Sequence, residues 1–354
     1  MKVKLEDVCE CGSSNLRQSD TAGKSGDYPI YGASGYIGNV DFYHQERPYV
    51  AVVKDGAGIG RAMLLPAKSS VIGTMQYLLP KGNVLPEYLY YAIRHMHLEK
   101  YFSGATIPHI YFRDYKTETF NLEPTTCQAE IVTVLHCAEA IISARQQQLQ
   151  KLDELVKARF VEMFGEPLIN TKGWGTRPIV EVAPIKPLHG NLSDKVWLLN
   201  LDAIESQTGN VLFKQRVRSA EINASTVYFT TENILYSKLR PYLNKVVMPD
   251  EDGIATSELI PMCPQADKLD RTYLCYWLRS DAFVKHISEK VAGAKMPRVS
   301  MDYFRTMSIE LPPIKLQEQF ASFVEQADRS KAVVQKSLDK AQLLFDSLMQ
   351  EYFK

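Results

Sequence analysis

The chain has 354 residues, 45% hydrophobic and 23% charged, and its 41 basic and 41 acidic side chains leave a formal net charge of zero. That length supports two ordinary domains, each with a core of its own. The charge balance excludes a globally basic nucleic-acid binder and an acidic mimic of DNA, and leaves room for a local basic face.

Residues 1–123 read as a β-rich module. Cys9 and Cys11 form the one close cysteine pair; Cys127, Cys137, Cys263 and Cys275 are scattered, and no histidine cluster completes a zinc site. The expectation is free thiols in a reducing cytoplasm. No signal peptide opens the chain and no uninterrupted apolar run reaches the ~18–20 residues that span a bilayer, so the expected location is cytoplasmic. The stretches YPIYGASGYIGNVDFY (28–43) and YVAVVKDGAGIGRAMLL (49–65) are short strands broken by glycine turns. The glycines of KDGAGIGR (54–61) follow neither a dinucleotide nor a P-loop order. Their backbone N–H groups, with Lys54 and Arg61, suit a DNA phosphate better than a nucleotide. A short helix, PEYLYYAIRH (86–95), an irregular loop, GATIPHIY (104–111), and a strand complete the module.

Pro124 stops that strand, and Thr125 with Gln128 fits a capping box. Apolar residues then recur at three and four: Ile131, Leu135, Ala138, Ile142, Leu149, Leu152, Val156 and Met163. This spacing predicts a coiled-coil seam within a helical segment over 124–168, interrupted by Arg145 and Arg159.

A second module spans 169–312. It has β runs at 196–213 and 233–249, a short helix RTYLCYWLRS (271–280) and the loop GAKMPRVS (293–300). Lys214, Arg216, Arg218, Lys238, Arg240 and Lys245 make one basic stretch, interleaved with Tyr228, Tyr236 and Tyr242; Lys285, Lys290, Lys295, Arg298 and Arg305 make another. Pro313 opens a second helical segment, 313–354, with Phe320, Val324, Ala327, Val334, Leu338, Ala341, Phe345 and Leu348 on its seam and Lys331 interrupting it. Helices of ~35–40 residues are ~50–60 Å long.

Residues 104–164 align with 293–353 without a gap, at a constant shift of 189 residues. Identities include Gly104/Gly293, Pro108/Pro297, Leu122/Leu311, Gln128/Gln317, Leu149/Leu338, Leu155/Leu344 and Phe164/Phe353. A period this long is a duplicated domain and not a solenoid. The order of core, short helix, loop, strand and long helix recurs in both halves, while the cores share little sequence. The scaffold is repeated and the working surfaces have diverged. The predicted fold is α+β: two β-rich modules in pseudo-twofold repeat, separated by two long antiparallel coiled-coil helices.

The sequence signals no catalytic constellation. LPPI (311–314) lacks the Asn or Asp and the aromatic of a methyltransferase motif, and Pro249-Asp250 with Glu258 lacks the lysine of a metal-dependent nuclease. Seven histidines show no metal spacing. The chain reads as a binding module.

Across nearly its whole length it resembles the specificity subunit (HsdS) of type I restriction–modification systems. The resemblance rests on DYPIYGASGYIG, YLYYAIR, GATIPHI, MFGEPLINTKGW at the join, NILYSKLRPYLNKV, GAKMPRVS and IELPPIKLQEQ, in that order. It implies that 1–123 and 169–312 are target-recognition domains, each reading half of a bipartite DNA site. It implies that the helical segments hold them apart and dock two modification (methyltransferase) subunits carrying S-adenosylmethionine. Restriction subunits would then join with ATP and magnesium, leaving no cofactor in this chain. Lys54, Arg61, Lys238, Arg240, Lys245 and Arg298 are the expected phosphate contacts, and His109 and Lys295 are further DNA-contact candidates at positions that differ between the loops. Leu135, Ile142, Leu149, Leu152, Val334, Leu338 and Phe345 are the expected subunit-interface residues. Unlike cores predict a non-palindromic site, and ~50 Å between modules predicts an unread spacer of one to two ~34 Å duplex turns. Two rivals stand beside this reading: a coiled-coil adaptor without a DNA role, and the specificity part of a type II restriction–methylation protein. The second needs a catalytic domain for which 354 residues leave no room.

Overall fold

The computed structural model describes residues 1–21, 23–104, 108–185, 194–219, 226–292 and 296–354. The chain divides into two compact units, residues 1–146 with 335–354 and residues 147–334.

The first unit holds β1 (Lys2–Lys4), α1 (Leu5–Val8), β2 (Cys9–Ser13), β3 (Tyr28–Gly32), β4 (Gly35–Val40), β5 (Tyr49–Val53), β6 (Ala62–Leu65), β7 (Ser70–Val71), β8 (Met75–Pro80), α2 (Pro86–Met96), α3 (Phe112–Tyr115) and β9 (Thr119–Asn121). β5 is buried at every position, with β6 and β8 paired on either side of it. Val50 and Val52 pack into one core cluster and Tyr49, Ala51 and Val53 into another, and burial on both faces explains the continuous apolar run, where a half-exposed strand would alternate. β3 and β4 form the hairpin expected from their glycine turn, and β7 joins β3 in parallel. α2 starts with Pro86, buries Tyr88, Leu89, Ala92, Ile93 and Met96 along one stripe, and ends at His97 in the left-handed conformation.

α4 (Thr125–Phe164) begins in the first unit and ends in the second. The second unit continues with β10 (Thr176–Pro178), α5 (Ile179–Val182), β11 (Lys195–Leu199), β12 (Gln215–Arg218), β13 (Thr226–Phe229), β14 (Ile234–Ser237), β15 (Val246–Val247), β16 (Gly253–Thr256), β17 (Leu259–Met262), α6 (Arg271–Arg279), α7 (Asp281–Ser288), β18 (Val291–Ala292), β19 (Arg298–Val299), α8 (Met301–Thr306) and β20 (Ser308–Glu310). Its plan repeats the first. β14 lies between β15 and β17 as β5 lies between β6 and β8. β11 pairs antiparallel with β12 and parallel with β16, as β3 does with β4 and β7. β10 pairs with β20 as β1 pairs with β9. The additions differ: β2 extends the sheet at β8 in the first unit, and β13 pairs with β16 in the second. Cores with little common sequence therefore share one topology.

α9 (Ile314–Phe353) begins in the second unit and ends in the first. In the second unit Asp153 of α4 meets Lys331 at 2.7 Å, while Phe160 and Phe164 pack on Phe320 with ring centroids 5.3 and 5.5 Å apart. Numbers rise along α4 as they fall along α9, so the pair is antiparallel. In the first unit Val132, Leu135 and Ala138 share a core with Phe345, Met349 and Phe353. Both charges that interrupt the seam in the second unit are accommodated. Lys331 has Asp153, and the Arg159 guanidinium lies 5.9 Å from the Phe323 ring centre. α4 stops at Gly165, whose φ of 82° suits a helix C-terminus, and Trp174 donates its indole N–H to the Phe164 carbonyl at 2.9 Å. One 18-residue window of α4 has mean hydropathy 1.3, long and apolar enough by length and composition to cross a bilayer. Polar residues such as Gln128, Glu130 and Glu139 interrupt the apolar side chains of this helix, so a criterion of an uninterrupted apolar run passes over it.

Gln128 departs from the expected capping box. Its side chain is fully buried, with Oε1 accepting from the Leu85 N–H at 2.8 Å and Nε2 donating to the carbonyls of Asn83 and Glu123 at 3.0 and 2.7 Å. Gln317 is fully buried in the same arrangement, accepting from the Asp270 N–H at 2.8 Å and donating to Lys268 and Pro312 at 3.1 and 2.8 Å. A carboxylate could accept but not donate, and a hydroxyl has a single proton, so these sites require a carboxamide. Gln317→Ala is expected to strand one N–H and two carbonyls and to destabilise the second unit by about 2 kcal/mol. Chemical denaturation monitored by tryptophan fluorescence, with the exposed Gln350→Ala as control, measures this.

Candidate nucleic-acid interface

Each central strand ends in a loop held by the same three hydrogen bonds. In the first unit, Lys54 N–H donates to Thr74 O at 3.0 Å, Ile110 N–H to Lys54 O at 2.9 Å, and Gly56 N–H to Pro108 O at 3.0 Å. In the second, Lys238 N–H donates to Glu258 O at 3.0 Å, Val299 N–H to Lys238 O at 2.9 Å, and Arg240 N–H to Pro297 O at 2.8 Å. Residues on the strand-end loop match at a shift of 184, and those on the GATIPHIY and GAKMPRVS loops at 189. The repeated phrase is thus a clasp on the loop that follows the central strand.

The loop backbones match in detail. Gly56 and Gly60 have φ of 83° and 80°; their counterparts Arg240 and Asn244 both have φ of 50°. This left-handed region favours glycine, and an arginine there costs about 1–2 kcal/mol of backbone energy. The Gly60 position adds a steric demand, because a Cβ would run into the backbone N of Glu99. A Cβ on Gly58 would collide with the Arg61 guanidinium, which folds across it.

The basic residues singled out from sequence divide by what they touch. Lys54 and Lys238 are half-buried at matched positions, and Arg61 and Arg240 are exposed. His109 pairs with Asp55 and lies against the Tyr111 ring at 4.0 Å. Its counterpart Arg298 pairs with Glu258 at 2.7 Å. Lys245 turns inward to donate to the Leu201 carbonyl at 2.6 Å, and burial lowers its pKa. Lys214 pairs with Asp250 and Arg216 with Glu251, each at 2.7 Å. Lys214 thereby pulls the Asp250 carboxyl below its usual range. Lys295 lies outside the described residues. Lys54 and His109 therefore come together at one clasp, and Lys238, Arg240 and Arg298 at the other. Of the interleaved tyrosines, Tyr242 is exposed, but Tyr236 is a core residue, 3% exposed and stacked on Phe304. β14 is buried at all four positions, so no alternation along the strand marks this tyrosine as surface.

The seam residues face this chain's own packing. Leu135, Val334 and Phe345 are buried, and Ile142, Leu149, Leu152 and Leu338 are half-buried. Apolar side chains on the outer helix faces include Leu155 and Leu344, 51% and 56% exposed. They are identical residues at the 189-residue shift and lie off the seam, which is the sequence signal that marks them. The acids Asp55 and Glu258 carry no such signal, because pairing comes from strands brought together by the fold.

Two like-plan α+β units, each with a clasped basic loop, define a repeated scaffold. A family model described as the type I restriction modification DNA specificity domain matches residues 1–154 and 172–342, and the chain belongs to that family. The type I restriction enzyme EcoDI specificity subunit of Escherichia coli is 26% identical over 155 residues, 43% of this chain and 34% of that subunit. The MjaVIII specificity subunit of Methanocaldococcus jannaschii is 21% identical over 320 residues, 82% of this chain and 75% of that subunit. The crystal structure of the type I restriction–modification S subunit from M. genitalium shares the fold at a TM-score of 0.58 and 13% identity, covering 100% of this chain and 96% of that one.

Gly60→Ala is expected to destabilise the first unit by about 2 kcal/mol, through the left-handed backbone and the clash at Glu99. Asn244→Gly at the matched position frees a left-handed backbone but removes the Asn244 Nδ2 hydrogen bond to the Arg279 carbonyl at 3.0 Å, so a smaller loss of about 1 kcal/mol is expected. Thermal melts of both variants test the match.

Proposed function

We propose that this chain is the DNA-reading subunit of a type I restriction–modification complex, recognising a bipartite, non-palindromic duplex with one half-site per unit. The observation that carries the reading is the matched clasp. One scaffold appears twice, with a lysine at the same place, Lys54 and Lys238, and different residues around it. Contacts to phosphate are the same whatever the sequence, so they suit positions that coincide between the units; base contacts suit those that differ. The chain supplies recognition, and methyl transfer with S-adenosylmethionine and cleavage with ATP and magnesium belong to partner subunits.

Two modification subunits dock on the outer faces of the long helices, at the exposed positions that the duplication preserves. Leu155 and Leu344 support this, since each belongs to a different unit and neither is needed for the seam. An adaptor without a DNA role would have no use for two diverged loops on one clasp.

Lys238→Ala is expected to weaken binding by about the same factor on a selected duplex and on random duplex, and to reduce the salt slope of log K by about one. Fluorescence anisotropy across a salt series measures both, and an unchanged slope removes Lys238 from the phosphate contacts. Leu155→Asp and Leu344→Asp should each lose one modification subunit from the complex, read as mass by light scattering, with the melting curve of the free chain unaltered.

A further inference from the structure

The clasped loop contains an arginine that the fold places at a cost. Arg240 stands where the first unit has Gly56, in the same left-handed conformation and with its N–H on the same proline carbonyl. Glycine accepts that backbone freely and arginine does not. The strain is held by three backbone hydrogen bonds around the loop: Arg240 to Pro297, Leu243 to Arg240 and Asn244 to Pro241. The guanidinium itself is exposed and has no hydrogen-bond or ion-pair partner among the described residues. Several other cations of this unit are engaged: Lys214, Arg216 and Arg298 are in ion pairs and Lys245 is bonded to a carbonyl. The side chain thus adds nothing to the fold, and the backbone beneath it would be more stable with glycine.

We infer that Arg240 is the base-reading residue of the second unit, donating its two-pronged guanidinium to a guanine in the half-site which that unit contacts. This rests on the DNA-reading proposal above and assigns within it. Sequence alone put Arg240 on phosphate. The duplicated scaffold argues otherwise, since the matching position in the first unit carries no side chain, and two unlike half-sites require readers that differ between units. Arginine is the side chain whose fork matches the O6 and N7 acceptors of guanine in the major groove. In the first unit the corresponding cation comes from a different point of the loop, Arg61, folded across Gly58. The two units thus present an arginine from one backbone design at two different places.

The test is selection from a random-sequence duplex library by the full chain in complex with its modification subunits, for wild type, Arg240→Gly and Arg240→Lys. The expected result is a wild-type motif with a G·C pair in one half-site. Arg240→Gly should lose about tenfold of the preference at that pair, leaving the other half-site intact and melting no lower than wild type. Arg240→Lys, which keeps the charge but not the fork, should lose the same preference and keep the wild-type salt slope. An unchanged motif in Arg240→Gly overturns the inference. So does a uniform loss on every duplex with a salt slope reduced by about one, which is the mark of a phosphate contact. A wild-type complex that selects no motif overturns the DNA-reading proposal itself.

Discussion

The architecture depends on a buried carboxamide used twice. Gln128 and Gln317 each sit at the start of a long helix, and each joins that helix to the chain entering a short one, Leu85 before α2 and Asp270 before α6. The entry to an α-helix leaves N–H groups without internal partners, and a strand ending at a proline leaves carbonyls exposed to the core. One glutamine meets both needs. The same joint carries a tyrosine hydroxyl, Tyr88 to Asn121 O at 2.8 Å and Tyr273 to Glu310 O at 2.9 Å. The joint fixes how each β-rich core meets its long helix, and the strand-end loops inherit their position from it.

Much of this was legible in the sequence from Gly104 and Gly293 onward, where the halves align without a gap. The long helices, their seam and their antiparallel pairing followed from spacing and duplication. The equivalence of the cores did not, and the reason is physical. A central strand such as β5 or β14 is specified by burial on both faces, which many apolar sequences satisfy. Loops of different length then change the shift from 189 to 184, so a fixed-shift comparison passes over Lys54 and Lys238. Gln128 fits a cap by local spacing, and its Leu85 partner, 43 residues away, lies beyond any local pattern.

The candidate site was legible in composition but not in wiring. The basic stretch around Lys214 and Arg216 looked free because Asp250 and Glu251 lie 35 or 36 residues on, brought alongside by β11 and β16. Charge runs read along the chain overstate the field at the surface, since strand pairing, here antiparallel to β12 and parallel to β16, delivers counter-charges from elsewhere. Of the candidate phosphate contacts, Lys54, Arg61, Lys238 and Arg240 lie on the two strand-end loops. The same backbone there tolerates glycine in one unit and arginine in the other, so side-chain identity at the loop is uncoupled from its shape.

Lys331 and Asp153 have a consequence for the helix pair as a whole. Apolar seams are permissive: leucines and alanines a turn apart are nearly interchangeable, and two long helices can slide past one another at little loss. The ammonium set into the seam bonds Asp328 on its own helix and a single carboxylate, Asp153, on the facing one, so a slide of one turn takes its only cross-helix partner among the described residues out of reach. The pair therefore acts as a vernier mark on a 40-residue rod. A leucine at 331 would make a stickier rod with several settings, whereas the lysine makes a ruler with one.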